Sequence, residues 1–240
     1  HLHDSGYKYL FSHAELVQEL LEAFAPPGVS ALLDYTTLRL ENGNYVTPAM
    51  QPRADDIVWS VELQGQRIYL YLLLEFQSTP DDSMPARMLQ YVAALYDHLL
   101  RSKAVNPAEG LPPVLPIVLY NGDARWRQSS ELYSLIRPHP PVLKPFQPQL
   151  KFWLLDEGAF AAAELEDMHR VVAAIFCFEH TPDTAAARCS DTQDLAVPGT
   201  PYSSRARSVA RVATAISIRR RLPMYLALTS KPLSSLPPIR

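Results

Sequence analysis

Two acidic residues stand where a hairpin would bring them together. Asp56 precedes the alternating apolar positions Ile57, Trp59, Val61 and Leu63, and Glu75 follows the nearly continuous apolar run from Ile68 to Leu74. Alternation reads as a strand, and an unbroken apolar run as a strand buried on both faces. Gln64-Gly65-Gln66 is the turn between them. A two-residue type II′ turn prefers glycine first, so Gly65-Gln66 is the expected loop, with Gln64 opposite Arg67. That register sets Asp56 opposite Glu75. It also pairs Leu63 with Ile68, Val61 with Leu70, Trp59 with Leu72 and Ile57 with Leu74, which makes one apolar face along the hairpin. Directly opposed side chains lie roughly 4.5 to 5.5 Å apart at Cβ, where like charges are destabilising unless neutralised. A divalent cation is the simplest neutraliser.

A plainer reading makes both acids strand-end carboxylates salt-bridged to Arg53 or Arg67, and the hairpin alone does not choose between the two. Glu75 is the more telling residue, because an acid after Leu70-Tyr71-Leu72-Leu73-Leu74 is costly to bury without a partner. Glu15 is explained by a capping box with Ser12 and need not reach a metal. Asp4, Tyr7 and Lys8 have an N-terminal packing and capping role as their plain alternative. Arg87 and Tyr91, four apart on one helical face, either line the site or pair with a loop carboxylate. The seven histidines show no metal-ligand spacing, and Cys177 with His180 is too little for zinc.

The elements that must position these groups follow from periodicity. Val17, Leu20, Leu21 and Phe24 form one stripe, so a first helix is expected from about His13 to Phe24. Pro26-Pro27-Gly28 ends it, and an irregular segment is expected up to Pro52. Ser78 to Ser83 reads as loop and cap. A second helix then repeats Met88, Val92, Leu95 and Leu99 on one face and should pack on the hairpin. Leu115 to Leu119 and Phe152 to Leu155 read as further strands, and a long helix is expected from about Ala161 to Phe178. The sum is an α/β fold with helices around a central mixed sheet.

A chain of 240 residues, 48% of them hydrophobic, has room for one main core. Its two cysteines make no disulfide framework, so a reducing, cytoplasmic setting is expected. No apolar stretch has transmembrane length, and a start at His1 without a signal pattern reads as a soluble chain trimmed at its N-terminus. There is no phosphate-cradling glycine loop, nucleophile elbow or dinucleotide fingerprint. Residues 181–240 carry nine Lys or Arg against three acids, a balance of +6, which leaves −9 for residues 1–180. The acidic part argues against strong nonspecific DNA affinity, though a local basic groove is compatible with it. For residues 181–240 three readings stand open: a basic nucleic-acid-binding tail, a disordered terminus, or translation of an out-of-frame stretch. The weakness of an Arg219-Arg220-Arg221 cluster as a signal favours the last two.

Five separated motifs then point to a family. His3-Asp4-Ser5-Gly6-Tyr7-Lys8-Tyr9-Leu10-Phe11-Ser12-His13 comes first, followed by Arg53 with Asp56 and Trp59, and by Leu74-Glu75-Phe76-Gln77-Ser78. Met84 with Arg87 and Tyr91 is next, and Leu115-Pro116-Ile117-Val118-Leu119-Tyr120-Asn121-Gly122 with Trp126 is the last. In this order they resemble the Rpn family of recombination-promoting nucleases, also called putative transposases of the YhgA-like type. The resemblance covers roughly His1 to Phe178 and leaves the tail unmatched.

The resemblance implies a PD-(D/E)XK nuclease-like domain over residues 1–180, DNA cleavage linked to recombination or mobile elements, and dependence on Mg²⁺ or Mn²⁺. It makes Asp56 and Glu75 the metal ligands and puts Gln77 where the superfamily usually has lysine. Hard oxygen ligands suit Mg²⁺, and the cation would activate a water and offset phosphate charge. Glutamine orients a water but supplies no positive charge, so Lys8 or Arg87 is assigned that part, with Tyr91 beside Arg87. DNA is the expected partner, a homodimer is open, and the rival function is a nuclease fold without activity that binds DNA or protein.

Overall fold

Gln64 and Gly65 both take positive φ, 52° and 79°, and that pair of angles is the backbone of a type I′ turn, whose twist matches that of the flanking strands. The turn is therefore Gln64-Gly65, and Leu63 pairs with Gln66. This corrects the expected type II′ turn and slides the hairpin by two residues. Asp56 lies opposite Leu73, Ile57 opposite Leu72, Trp59 opposite Leu70 and Val61 opposite Ile68. A slip of two leaves every residue on its original face, so the apolar face survives the correction. Type I′ turns favour Asn-Gly, and Gln64 pays the left-handed penalty without the local hydrogen bonding of asparagine. Gln64→Asn should raise stability by about 0.5 to 1 kcal/mol, read as a shifted urea midpoint at constant m-value.

In this computed structural model the described residues are 7–41, 56–75, 79–122, 124–137, 140–168, 172–173 and 175–176. The boundary expected near residue 180, the tail after it and Cys177 lie outside them, as does Gln77. Five strands form one mixed sheet in the order β1-β2-β3-β4-β5: β1 Leu33–Leu40, β2 Asp56–Leu63, β3 Gln66–Glu75, β4 Val114–Tyr120 and β5 Trp153–Asp156. The first three form an antiparallel meander, and β4 and β5 then run parallel to β3. Parallel pairing requires a crossover, and the helix from Met84 to Arg101, here α2, supplies it between β3 and β4.

Strand β1 falls where an irregular segment was expected. Its register breaks between Asp34 and Arg39, and the bulge disrupts the period-two pattern that reveals a strand. Asp34 organises it: its Oδ1 accepts from the amide and hydroxyl of Thr36, and its carbonyl accepts from the Thr37 hydroxyl.

The first long helix, α1, runs Ala14–Phe24, with His13 as N-cap and no side-chain cap bond. The expected capping box is absent because the Ser12 hydroxyl donates instead to the Tyr9 carbonyl at 2.6 Å, closing the helical turn at residues 7–10. Glu15 is exposed. The Ala25 amide bonds to the Leu21 carbonyl at the helix end, and Pro26 follows. A third helix, α3, runs Ala162–Asp167, and residues 172–173 and 175–176 are also helical.

Alternation places two cores on the two faces of the sheet. On one face Ile57, Trp59, Val61, Leu70, Leu72, Ile117 and Leu119 pack against Leu16, Val17, Leu20 and Leu21 of α1 and against Tyr7, Leu10 and Phe11. On the other, Val58, Tyr69, Tyr71, Leu73, Val118 and Tyr120 meet Met84, Met88, Leu95 and Leu99 of α2. Each fully buried aliphatic side chain contributes roughly 1.5 to 3 kcal/mol. Helices on both faces of a mixed sheet give the α/β class expected, compatible with the nuclease-like arrangement.

Candidate active site

Because β2 is antiparallel to β3 while β4 and β5 are parallel to it, the start of β2 and the ends of the other three fall at one edge of the sheet. Asp56 opens β2 and Glu75 closes β3. Glu75 pairs with Tyr120, and Tyr120 with Asp156. In open α/β sheets the crevice beyond the carboxyl ends of strands is where ligands bind.

Asp56 and Glu75 are diagonal rather than directly opposed. Asp56 faces Leu73, and Glu75 is two residues further along the same strand, so both hold register positions on the α2 face of the sheet. Diagonal neighbours of this kind are roughly 7 to 8 Å apart. The directly opposed like-charge pair behind the argument for a cation is therefore not formed by this register, and hard oxygen donors of this type are the ligands that Mg²⁺ and Mn²⁺ take. Asp56 and Glu75 are described here through their backbone. Among the side chains described, no three His, Cys, Asp or Glu converge on a metal position.

The remaining candidates are spread around this edge. Arg87 Nη1 donates to Asp81 Oδ2 at 2.6 Å, both groups being largely buried. Its charge is thus offset by a loop carboxylate. Tyr91 stacks on Tyr71, ring centroids 5.7 Å apart and 13° from parallel. Tyr71 precedes Glu75 by four strand positions, about 13 Å at 3.3 Å per residue, so this stack lies inward from the strand end. The crossover helix α2 runs back along the sheet, which leaves Arg87, one turn before Tyr91, nearer the edge. Lys8 is exposed on the N-terminal turn.

Asp81 organises the loop ahead of α2. Its Oδ1 accepts from the Ser83 amide at 2.7 Å and the Ser83 hydroxyl at 2.6 Å. Burial on its own would raise its pKa, but the Ser83 hydroxyl, the Arg87 guanidinium and the Ser83 amide outweigh it and hold the carboxyl below its ordinary 3.8. A carboxylate with a depressed folded-state pKa stabilises the fold above the unfolded value and loses that contribution as pH falls through the folded one. The stability advantage of wild type over Asp81→Asn should therefore be complete at pH 5 and above and shrink below about pH 4. Urea titrations of both proteins from pH 6 downward check the sign.

Two buried acids escaped the sequence reading. Glu157, directly after β5, is fully buried and accepts from the Tyr7 hydroxyl at 3.2 Å. Glu19 is buried on α1. The signal for Glu157 was the one that singled out Glu75, an acid following an apolar strand. For Glu19 it was an acid on the face shared by Leu16 and Leu20. Asn121, part of a recognised motif but given no role, is buried and donates to the Tyr7 oxygen at 3.5 Å. No helix among the described residues is long and apolar enough to cross a membrane.

Comparison with known proteins agrees on one family. The chain is 36% identical over 123 residues to the recombination-promoting nuclease RpnC of Escherichia coli K12, covering 51% of this chain and 39% of that protein. It is 30% identical over 121 residues to RpnA of the same strain, 50% of this chain and 40% of the relative. A third relative, named an inactive recombination-promoting nuclease-like protein, RpnE, is 29% identical over 121 residues, 50% of this chain and 39% of its own. The aligned stretch therefore spans less than half the length of these relatives. No solved structure matches the chain significantly. The family described as "Putative transposase, YhgA-like" matches residues 1–193, and with that match over most of its length the chain belongs to this family.

Proposed function

We propose that this protein is a Mg²⁺- or Mn²⁺-dependent DNA endonuclease that hydrolyses phosphodiester bonds in recombination or mobile-element biology. The observation that carries the reading is the arrival of Asp56 and Glu75 on one face at the adjacent ends of β2 and β3, in a chain whose relatives are named recombination-promoting nucleases. Asp56 and Glu75 hold the cation, and Gln77 orients the attacking water. When bound, the cation lowers the pKa of that water and offsets charge on the scissile phosphate. Arg87, on the helix that covers the face of Asp56 and Glu75, or Lys8, on the N-terminal turn, supplies positive charge, Arg87 being paired with Asp81. Arg87 and Tyr91 act at the margin of the site. DNA is the substrate, the cytoplasm the setting, and a homodimer the arrangement suited to cutting both strands.

The second reading, a nuclease fold that binds DNA or protein without cutting, draws on the relative named as inactive and on the neutralised Arg87. Cleavage of supercoiled plasmid separates the two. The expected result is nicking in Mg²⁺ or Mn²⁺ that EDTA abolishes. A folded wild-type chain that binds plasmid and leaves it intact in both metals would overturn the nuclease reading.

A further inference from the structure

The loop after β4 is fastened over the rung that contains Glu75. Glu75 pairs with Tyr120 and Tyr120 with Asp156, and all three hold positions on the α2 face. On that face the Tyr120 hydroxyl donates to the Ala124 carbonyl at 2.6 Å, and Asp156 Oδ2 accepts from the Trp126 amide at 3.1 Å. The Trp126 ring meets Tyr120 and Phe152 edge-on, with centroids 5.0 and 6.3 Å away, and its Nε1 donates to the Gln128 carbonyl at 3.2 Å. Trp126 is 8% exposed, whereas Arg125 and Arg127 on either side of it are exposed.

A buried indole flanked by two arginines gives a loop with a fixed backbone and two cations in solvent. Arg125 Nη1 is 3.8 Å from Asp156 Oδ2, beyond hydrogen-bond range. Asp156 Oδ1 is buried and makes no hydrogen bond among the described residues. Asp156 therefore holds Arg125 by charge alone and leaves the guanidinium donors to another acceptor, unlike the 2.6 Å pair of Arg87 with Asp81. Two strand spacings separate Asp156 from Glu75, about 10 Å, or about three steps along a duplex at 3.4 Å per phosphate of one strand. A guanidinium fork matches phosphate geometry.

The geometry points to Arg125 and Arg127 as DNA-phosphate contacts that grip the backbone beside the strand ends of Asp56 and Glu75, on a loop held by Tyr120, Trp126 and Asp156. This rests on DNA being the substrate in the reading above. Residues 1–180 carry a balance of −9, so the grip is local. The two arginines bind the flanking backbone and do not touch the reacting atoms.

The test is the salt dependence of binding to a labelled DNA duplex, read by fluorescence anisotropy in EDTA with the full chain. Two contacts at about 0.9 each should make the slope of log K against log salt shallower by about 1.8 in Arg125→Gln/Arg127→Gln. Between about 50 and 200 mM salt, wild type should then weaken about twelvefold more than this variant. Arg125→Lys/Arg127→Lys keeps both charges and should stay within about 0.5 of the wild-type slope. So should Arg101→Gln/Lys103→Gln, which removes two exposed charges at the far end of α2. A change below about 0.9 in the Arg125→Gln/Arg127→Gln protein overturns the proposal, as does an equal change in the Arg101 and Lys103 control. Failure of the lysine variant to restore the slope, or a wild type that binds no duplex, also overturns it. Where wild type nicks plasmid, Arg125→Gln/Arg127→Gln should raise KM and keep kcat within about threefold, and a larger loss of kcat would overturn a purely binding role. If wild type binds duplex and leaves plasmid intact, the nuclease reading fails and the slopes still decide the contact.

Discussion

Asp56→Ala and Glu75→Ala proteins should each leave supercoiled plasmid uncut under conditions in which wild type nicks it, with a fall of about 10³-fold or more in rate, roughly 4 kcal/mol of transition-state stabilisation. The size follows from the proposed role. In that role the two carboxylates are the cation's protein ligands, and removing either leaves too few hard ligands to hold Mg²⁺. Asp56→Asn and Glu75→Gln keep shape and remove charge, so they should lose activity to the same degree. Calorimetric titration with Mn²⁺ should show loss of the binding isotherm in all four variants, with far-ultraviolet circular dichroism unchanged. Because Asp56 and Glu75 are diagonal and not opposed, the repulsion relieved by either substitution is small. A variant that nicks plasmid at the wild-type rate would assign the cleavage to a contaminant.

Leu72→Ala should cost about 2 to 5 kcal/mol, the range for emptying a buried leucine site. Leu72 is fully buried at the centre of the sheet, paired with Ile57 on β2 and Ile117 on β4, and neighbours held in two ladders have little freedom to close the cavity. Against a total stability of about 5 to 15 kcal/mol for a typical domain, that loss is a large fraction. At this chain length each kcal/mol lowers Tm by about 2 to 4 °C, so a fall of about 4 to 20 °C is expected by differential scanning calorimetry. Val142→Ala is the control. Val142 is 75% exposed, and its truncation should stay within about 0.5 kcal/mol. Equal effects at the two positions would contradict the assignment of the core.

Much of the frame was written in local pattern. The apolar alternation of Ile57, Trp59 and Val61, the unbroken run through Leu72, and the helical repeat of Met88, Val92, Leu95 and Leu99 each carry their own period, and each element formed where its period placed it. Strand β1 was not legible, because a bulge ordered by Asp34 scrambles its alternation. The capping box was misleading, because the Ser12 hydroxyl had a nearer acceptor in the Tyr9 carbonyl.

The sequence by itself determined which residues face which side of the sheet, since side-chain direction in a strand depends only on parity. It did not determine the register of the hairpin. Sliding β2 against β3 by two residues preserves every facing pattern, so the apolar match that supported one register supports the other equally. The choice fell to the turn, where Gln64 accepts a positive φ of 52° that its residue type does not announce. The grouping of strand ends was likewise decided by tertiary structure. Tyr7 and Glu157 are 150 residues apart, and no local period links them. Only the parallel docking of β4 and β5 beside β3 brings the ends of three strands to the end of the sheet where Asp56 begins β2, with Asn121 and Glu157 just beyond them on the opposite face.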